Sequence, residues 1–283
     1  MRDVDTYAVV GHPIAHSKSP LIHAMFAESL GERLVYERIL APLDGFARTV
    51  QTFFAEGGRG LNVTVPFKLE AHALCEVRTE RAIQAGAVNT LWMDHGRLCG
   101  DNTDGVGLVR DLRDNLGVTL REARVLLIGA GGAARGVLQP VLDEAPAMLV
   151  VVNRTRARAE ELVASASGPL AQRCKASDFA TLDGAFDLVI NATSASLGGD
   201  IPPVPAAAFA PNAFVYDLMY ADKPTPFLAH ARSLGVTTCA DGLGMLVEQA
   251  AEAYERWRGR RPHTRPVIER LRDALRREAV SAA

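Results

Sequence analysis

A short apolar run, Arg124-Val125-Leu126-Leu127-Ile128, passes straight into Gly129-Ala130-Gly131-Gly132-Ala133-Ala134, and this junction constrains the fold more than any other part of the chain. The apolar run reads as a buried strand. Gly129, Gly131 and Ala134 match G-x-G-x-x-G/A, in which the first two small positions permit a tight turn and close approach of a pyrophosphate, and the third lets a helix pack on the strand. The match is weak by itself. Here a second apolar strand at 148–152 follows within the length of one βαβ unit, which is the context the pattern requires.

The residues after that second strand choose the nucleotide. An acidic residue there would hold the ribose 2′-hydroxyl of NAD, but this chain carries Asn153-Arg154-Thr155-Arg156-Ala157-Arg158. Guanidinium groups can bind a 2′-phosphate bidentately, so NADP is the expected cofactor. Helix stability does not explain Arg156 and Arg158, because cations at a helix amino terminus oppose its dipole. Strands at 186–190, ending in Asn191-Ala192-Thr193-Ser194, and at 214–218 continue the winding, followed by a helix capped by Thr225 and a short strand at 236–239. The fold class is α/β.

The first hundred residues alternate strand and helix in the same manner. A strand at 6–10 ends at Gly11, and Ser19 before Pro20 is a strong helix start, with the serine as N-cap and Gly31 as the stop. Ser17 is not needed for capping, and two hydroxyls at a helix amino terminus suit a ligand carboxylate; capping alone and anion binding both stay open. A strand at 34–39 leads to an amphipathic helix whose stripe is Leu43, Phe46, Val50, Phe53 and Phe54. Next comes Leu61-Asn62-Val63-Thr64-Val65-Pro66-Phe67-Lys68. Leu61, Val63 and Val65 share one strand face, Asn62 and Thr64 the other, and Pro66 ends the ladder, leaving Lys68 just past the carboxyl edge where such sheets bind ligands. An amphipathic edge strand with a solvated lysine would show the same eight residues.

Residues 69–83 look helical, and 87–92 read as a strand with Asn89 inside it. After a hairpin-like turn at 94–97, Gly100-Asp101-Asn102-Thr103-Asp104-Gly105 forms a polar loop before a helix from about Val106, for which Asp104 could be just the N-cap. Yet Asn62, Thr64, Lys68, Asn89 and Asp104 all fall at strand ends of one small unit, which favours a single polar cleft. Near the other end, Gly242 opens a helix through Trp257, with Leu246, Ala250, Ala253 and Trp257 as its stripe and Gln249 one position off it. The arginine-rich tail after Arg258 reads as a solvated amphipathic helix, with Asp273 and Arg277 at charge-pair spacing.

Composition excludes several roles. A net charge of −2 over 283 residues argues against nucleic-acid or membrane-surface binding by bulk electrostatics. The charged start Met1-Arg2-Asp3-Val4-Asp5 lacks the apolar core of a secretory signal, and the least polar run, 204–221, is broken by Pro205, Pro211, Asn212 and Asp217. Cys75, Cys99, Cys174 and Cys239 are far apart, as reduced thiols of a cytoplasmic protein would be. His12 and His16 have helical metal-pair spacing, but Pro13 lies between them, so no metal is expected.

Taken together, Ser17-Lys18-Ser19-Pro20, the 62–68 strand, Gly86-Ala87-Val88-Asn89-Thr90, Asp101 to Gly105, the Gly129 loop, Asn153-Arg154-Thr155, Tyr216-Asp217 through Tyr220 and Gly242 through Gln249 resemble the shikimate dehydrogenase family over nearly the whole chain, to about residue 275. The resemblance implies a substrate domain at 1–105 plus 241–283, a Rossmann-like NADP domain at 106–240, and carboxy-terminal helices that return to the first. It implies reversible NADPH-dependent reduction of 3-dehydroshikimate to shikimate by a monomer or homodimer. Carried onto this chain, Ser17, Ser19, Asn62, Thr64, Asn89, Tyr220 and Gln249 are substrate residues, and Lys68 with Asp104 is the acid/base pair. Gly129, Ala130, Gly131, Gly132, Ala133, Asn153, Arg154, Thr155, Arg158, Thr193, Leu218 and Gly242 are its cofactor residues. The chemistry is consistent, since hydride delivery to a ketone builds an alkoxide that a nearby ammonium stabilises and protonates. A neighbouring carboxylate favours a charged lysine, which suits an acid and opposes a base. Leu218, where similar proteins often carry methionine, the Ser196-Leu197-Gly198-Gly199 loop and the arginine-rich tail depart from the pattern. A quinate/shikimate dehydrogenase using NAD, and a dinucleotide-binding sensor without turnover, are the competing expectations.

Overall fold

In the computed structural model the strands collect into two six-stranded sheets, and residues 4–193 and 200–281 are described. Ser194 and the departure at Ser196 to Gly199 lie outside the described residues, as do Met1 to Asp3. The first sheet holds β1 (Asp5–Gly11), β2 (Leu34–Leu40), β3 (Gly60–Val63), β4 (Val77–Arg78), β5 (Thr90–Asp94) and β6 (Arg97–Asp101), in the order β2-β1-β3-β5-β6-β4. Its helices are α1 (Ser19–Leu30), α2 (Phe46–Ala55), α3 (Lys68–Leu74) and α4 (Glu80–Ala85). A crossing helix, α5 (Asp104–Arg110), leads to the second sheet.

That sheet is built from β7 (Arg124–Ile128), β8 (Met148–Val152), β9 (Cys174–Ser177), β10 (Phe186–Asn191), β11 (Phe209–Asp217) and β12 (Thr238–Asp241), with α6 (Gly132–Asp143), α7 (Arg156–Ala164) and α8 (Pro226–Ser233) between them. Every pairing is parallel, and the order β9-β8-β7-β10-β11-β12 is that of a doubly wound sheet whose winding reverses between β7 and β10. The apolar runs of β7 and β8 follow from burial on both faces. Val125 and Leu127 enter a core with α5 and α6, whereas Leu126 and Ile128 enter another with Phe227 and Leu228 of α8.

Two last helices, α9 (Leu243–Arg258) and α10 (Arg265–Ser281), come back to the first sheet. Val247, Ala250 and Tyr254 pack with Ile22 and Phe26 of α1 and with Leu271 of α10, and Trp257 Nε1 donates to the Leu91 carbonyl at 3.1 Å. Two glycines let α5 sit tightly between the units. A Cβ on Gly105 would lie 2.4 Å from the Gly136 carbonyl of α6, and one on Gly107 would lie 2.8 Å from the Gln249 amide of α9. On α10, Asp273 pairs with Arg276 at 3.6 Å.

Several local expectations fail for non-local reasons. The helix expected at 69–83 is broken into α3, β4 and α4, because β4 pairs with β6 and the Glu76 amide donates to the Leu98 carbonyl. Strand β9, unforeseen, pairs with β8. Leu43 lies ahead of α2 and is exposed, and Val65, past the end of β3, is 62% exposed instead of sharing the buried face of Leu61 and Val63. Of the expected stripe of α9, Ala250 and Ala253 are fully buried, beside Val247, Ala251 and Tyr254, whereas Leu246 and Trp257 are only half-buried. Thr225 caps α8 as expected, accepting the Leu228 amide at 3.3 Å, but Ser19 and Asp104 are not caps: Lys18 and Thr103 occupy the N-cap positions, and Ser19 and Asp104 are first helical residues. Asn89 lies just before β5, though its amide and carbonyl still bond Asp101 and Val63.

Candidate active site

Lys68 opens α3 at the carboxyl end of β3, and Asp104 opens α5 after β6. Their side chains meet at 2.5 Å, Lys68 Nζ to Asp104 Oδ2, with the carboxylate nearly enclosed and the ammonium about a quarter exposed. The Lys68 carbonyl accepts from the Val88 amide at 2.9 Å, which ties the start of α3 to the residue before Asn89. Asn89 organises the rest. Its Nδ2 donates to Asp104 Oδ1 and Thr103 Oγ1, each at 2.9 Å, and its Oδ1 accepts from the Thr103 amide and the Thr90 hydroxyl, each at 2.9 Å. Asn102 Oδ1 accepts the Asp104 amide at 3.1 Å, fixing the first turn of α5.

Gln249 reaches this cluster from α9. Its Oε1 lies 3.4 Å from the Thr103 hydroxyl and 3.5 Å from Asn89 Nδ2, and its Nε2 is held by the Leu246 carbonyl at 2.8 Å. The off-stripe glutamine therefore faces the Lys68 cleft. On the other side a Cβ at Gly136 of α6 would come within 3.4 Å of Asp104 Oδ2, so this carboxylate borders the helix that follows the glycine loop.

Beneath the cluster both amide hydrogens of Asn62 are used inside the protein, on the Asn89 carbonyl and the Thr90 hydroxyl, each at 3.1 Å. Asn62 Oδ1 accepts from the Tyr36 hydroxyl at 2.6 Å, and Ser19 stands beside that same phenol. Burial pushes the Tyr36 phenol well above its ordinary range, against a smaller opposing effect of Ser19, so it stays a donor. His23 stacks on Tyr36 at 4.1 Å, and burial pushes its imidazole down to about 3, with the Asn62 carboxamide opposing weakly. Ser17 accepts the Ser19 amide on its hydroxyl at 3.3 Å. The methyl of Thr64 packs on Gly11, and Tyr220 packs on the α1 and α9 cluster, its phenol raised by burial and then by Asp241.

A buried ionic strut stiffens this region. Arg81 of α4 bonds Asp101 of β6 at 2.6 Å and Glu252 of α9 at 2.9 Å, and Arg110 of α5 bonds Glu252 at 2.7 Å. Burial alone would raise the Asp101 carboxyl, but Arg81 and the Thr79 hydroxyl hold it below the ordinary value. Thr103, Tyr36 and this strut were not singled out from the sequence, although Thr103 stands beside Asp104 in the polar loop.

The dinucleotide side is open by contrast. Gly129 has φ +105°, a conformation that favours glycine, and a Cβ there would lie 3.0 Å from the methyl of Thr193 after β10. A Cβ at Gly131 or Gly132 would meet nothing within 4 Å, and α6 begins without a side-chain cap or an acidic residue in its first turn. Its free amides can take a pyrophosphate, with Ala130 and Ala133 flanking. After β8, Asn153 Nδ2 turns back to the Thr155 carbonyl at 2.9 Å. Arg154 and Arg158 are exposed, and among the described residues their guanidinium groups have no side-chain partner, whereas Arg156 pairs with Glu160 at 2.9 Å. With no acidic residue in 153–158, these groups fit NADP. Leu218 follows β11, and a Cβ on Gly242 would strike its carbonyl at 2.1 Å, placing Leu218 against the start of α9.

Among the described residues no group of three or more His, Cys, Asp or Glu is placed for a metal ion, and no helix is long and apolar enough to cross a membrane. Family models match the chain as a shikimate dehydrogenase substrate binding domain at 9–91, a shikimate/quinate 5-dehydrogenase domain at 111–198 and a shikimate 5′-dehydrogenase C-terminal domain at 242–272. The shikimate dehydrogenase (NADP(+)) of Hahella chejuensis is 56% identical over 271 residues, 95% of this chain and 99% of the relative. The crystal structure of an Ael1 enzyme from Pseudomonas putida is 50% identical with TM-score 0.90, covering 94% of this chain and 98% of that one. Shikimate 5-dehydrogenase from Thermus thermophilus, solved with NADP(H) and shikimate, is 34% identical with TM-score 0.82, covering 96% of this chain and 100% of that one. Full-length likeness of this degree, on a doubly wound sheet facing a lysine–aspartate cleft, makes the chain a member of the shikimate dehydrogenase family.

Proposed function

We propose that this protein catalyses the reversible NADPH-dependent reduction of 3-dehydroshikimate to shikimate. The observation that carries the proposal is the Lys68–Asp104 pair, held by Asn89 at the carboxyl end of one sheet and bordered by the helix that follows the glycine loop of the other. NADPH supplies the hydride when bound. Lys68 Nζ stands at the reacting oxygen, stabilises the negative charge that develops there and donates a proton to it. Asp104 orients the ammonium and accepts from the substrate hydroxyl beside the carbonyl, while Asn89 and Gln249 fix where that hydroxyl sits. Ser17, Ser19, Thr64 and Tyr220 hold the remaining groups, with Ser17 and Ser19 offering hydroxyls to the carboxylate. Both amide hydrogens of Asn62 are spent on Asn89 and Thr90 and its Oδ1 takes the Tyr36 hydroxyl, so its contribution is to place Asn89.

Gly129, Ala130, Gly131, Gly132 and Ala133 would take the pyrophosphate, Asn153, Arg154, Thr155 and Arg158 the 2′-phosphorylated ribose, and Thr193, Leu218 and Gly242 the nicotinamide end. Residues 1–105 with 241–283 then form the substrate domain, and 106–240 the NADP domain, with α5 shared where they meet. The test compares turnover of shikimate and quinate with NADP and with NAD. Turnover highest with shikimate and NADP is expected; a preference for NAD and quinate overturns the substrate and cofactor assignment. Tight NADPH binding without any 3-dehydroshikimate-dependent oxidation would make the chain a sensor.

A further inference from the structure

Two side chains on β2 point toward the start of α1 and the loop before it. Tyr36 and Arg38 are two residues apart on this edge strand, so the pleat sends both toward the same face. Tyr36 bonds Asn62 at 2.6 Å and stands beside Ser19. Arg38 does something different. Its Nε and Nη2 donate to the Ser17 carbonyl at 2.9 Å and 2.6 Å, a charge-assisted clasp on a single oxygen. The Ser17 amide donates to the Ile14 carbonyl at 3.0 Å, and the Ser17 hydroxyl oxygen accepts the Ser19 amide at 3.3 Å. Ser17 is therefore fixed at three points, and its hydroxyl hydrogen is left to offer to a ligand.

We propose that Arg38 is a positioning residue for the substrate: by clasping the Ser17 carbonyl it sets the direction in which the Ser17 and Ser19 hydroxyls are presented to an anionic ligand group. It acts through the loop, while also lending the loop a fixed positive charge. The inference rests on the proposed reaction, in which these hydroxyls receive a carboxylate. Nothing in it involves the dinucleotide side, and that separation makes it testable. A loop allowed to drift loses alignment toward the carboxylate, whereas the Lys68 cluster, held by Asn89 and Thr103, keeps its geometry.

The experiment measures steady-state kinetics and shikimate binding for wild type, Arg38→Ala, Arg38→Lys and Arg38→Gln. Arg38→Ala is expected to raise KM for shikimate about tenfold, the effect of losing one charge-assisted contact, while kcat and KM for NADP stay close to wild type. Arg38→Lys should recover part of the loss, because an ammonium can reach the carbonyl with one donor but not with the fork of a guanidinium. Arg38→Gln should recover less, lacking the charge. If Arg38→Ala keeps the wild-type KM for shikimate, or raises both KM values equally, the inference is overturned and the proposed reaction stands. A wild-type protein that neither binds nor turns over shikimate overturns the reaction, and this inference with it. Arg38 is exposed, so its loss leaves the core intact and the variants are expected to fold.

Discussion

The polar groups around Lys68 and the cationic groups after β8 both gather at strand ends, but they are finished to different degrees. Around Lys68 the partners are already in place: Asn89 alone bonds Thr90, Thr103 and Asp104, and Asp104 is 7% exposed. After β8, Arg154 and Arg158 stand in water, and the first amides of α6 have no side-chain cap. The difference matches what each half must do. Stabilising charge that appears only during reaction requires donors that are oriented beforehand. Capturing a polyanion requires charges that attract it from solution and then find their own fit. The substrate half is built for orientation, the cofactor half for attraction.

The strongest way to break this comparison is Lys68→Ala. If orientation and attraction are separate, kcat should fall about 10²- to 10⁴-fold, the usual contribution of a positioned proton donor, with NADPH affinity little changed. Steady-state kinetics together with NADPH fluorescence titration checks both quantities. A loss of NADPH affinity as large as the loss of kcat would show that the two halves are coupled through α5, which carries Asp104 against Gly136.

A smaller effect is expected from the cofactor half. Replacing Arg154 and Arg158 together by alanine removes hydrogen bonds to a charged group worth about 1.5 to 3 kcal/mol, so KM for NADP should rise about tenfold to a hundredfold. KM for NAD and for shikimate should stay near the wild-type values, and the NADP preference should narrow by the same factor. An unchanged ratio of kcat/KM for NADP over NAD would assign the choice of cofactor to other residues.

The same contrast explains what could be read from the sequence. Gly129, Gly131 and Ala134 are legible because a backbone requirement leaves a residue type at a fixed spacing, and Arg154 and Arg158 are legible because no carboxylate competes beside them. Lys68, Asn89 and Asp104 could be grouped because each stands at a strand end. Gln249 could not, since it sits off the stripe of α9 and reaches Asn89 only because Gly107 lets α5 and α9 touch. Tyr36 and Arg38 were hidden for a similar reason: an edge strand with alternating exposure carries such residues for solubility as readily as for contact. The break at 75–79 depends on β4 finding β6, some twenty residues onward, and no local periodicity records that pairing.

Arg156 gives the finest test, because the sequence groups it with Arg154 and Arg158 and the structure separates it from them. It is the first residue of α7, and its guanidinium is held by Glu160 at 2.9 Å, with both side chains about half exposed. A surface pair at this spacing is worth about 0.3 to 0.5 kcal/mol, and the reversed order, cation before anion, together with the helix dipole, reduces that further. Arg156→Ala should therefore change KM for NADP by less than about twofold, and shift the melting temperature by about 1 °C or less for a chain of this size. Thermal denaturation and NADP kinetics on the single variant check both. A tenfold rise in KM for NADP would mean that Arg156 leaves Glu160 for the phosphate, so that three guanidinium groups serve the cofactor, one of them drawn from a contact that only looks structural in its absence.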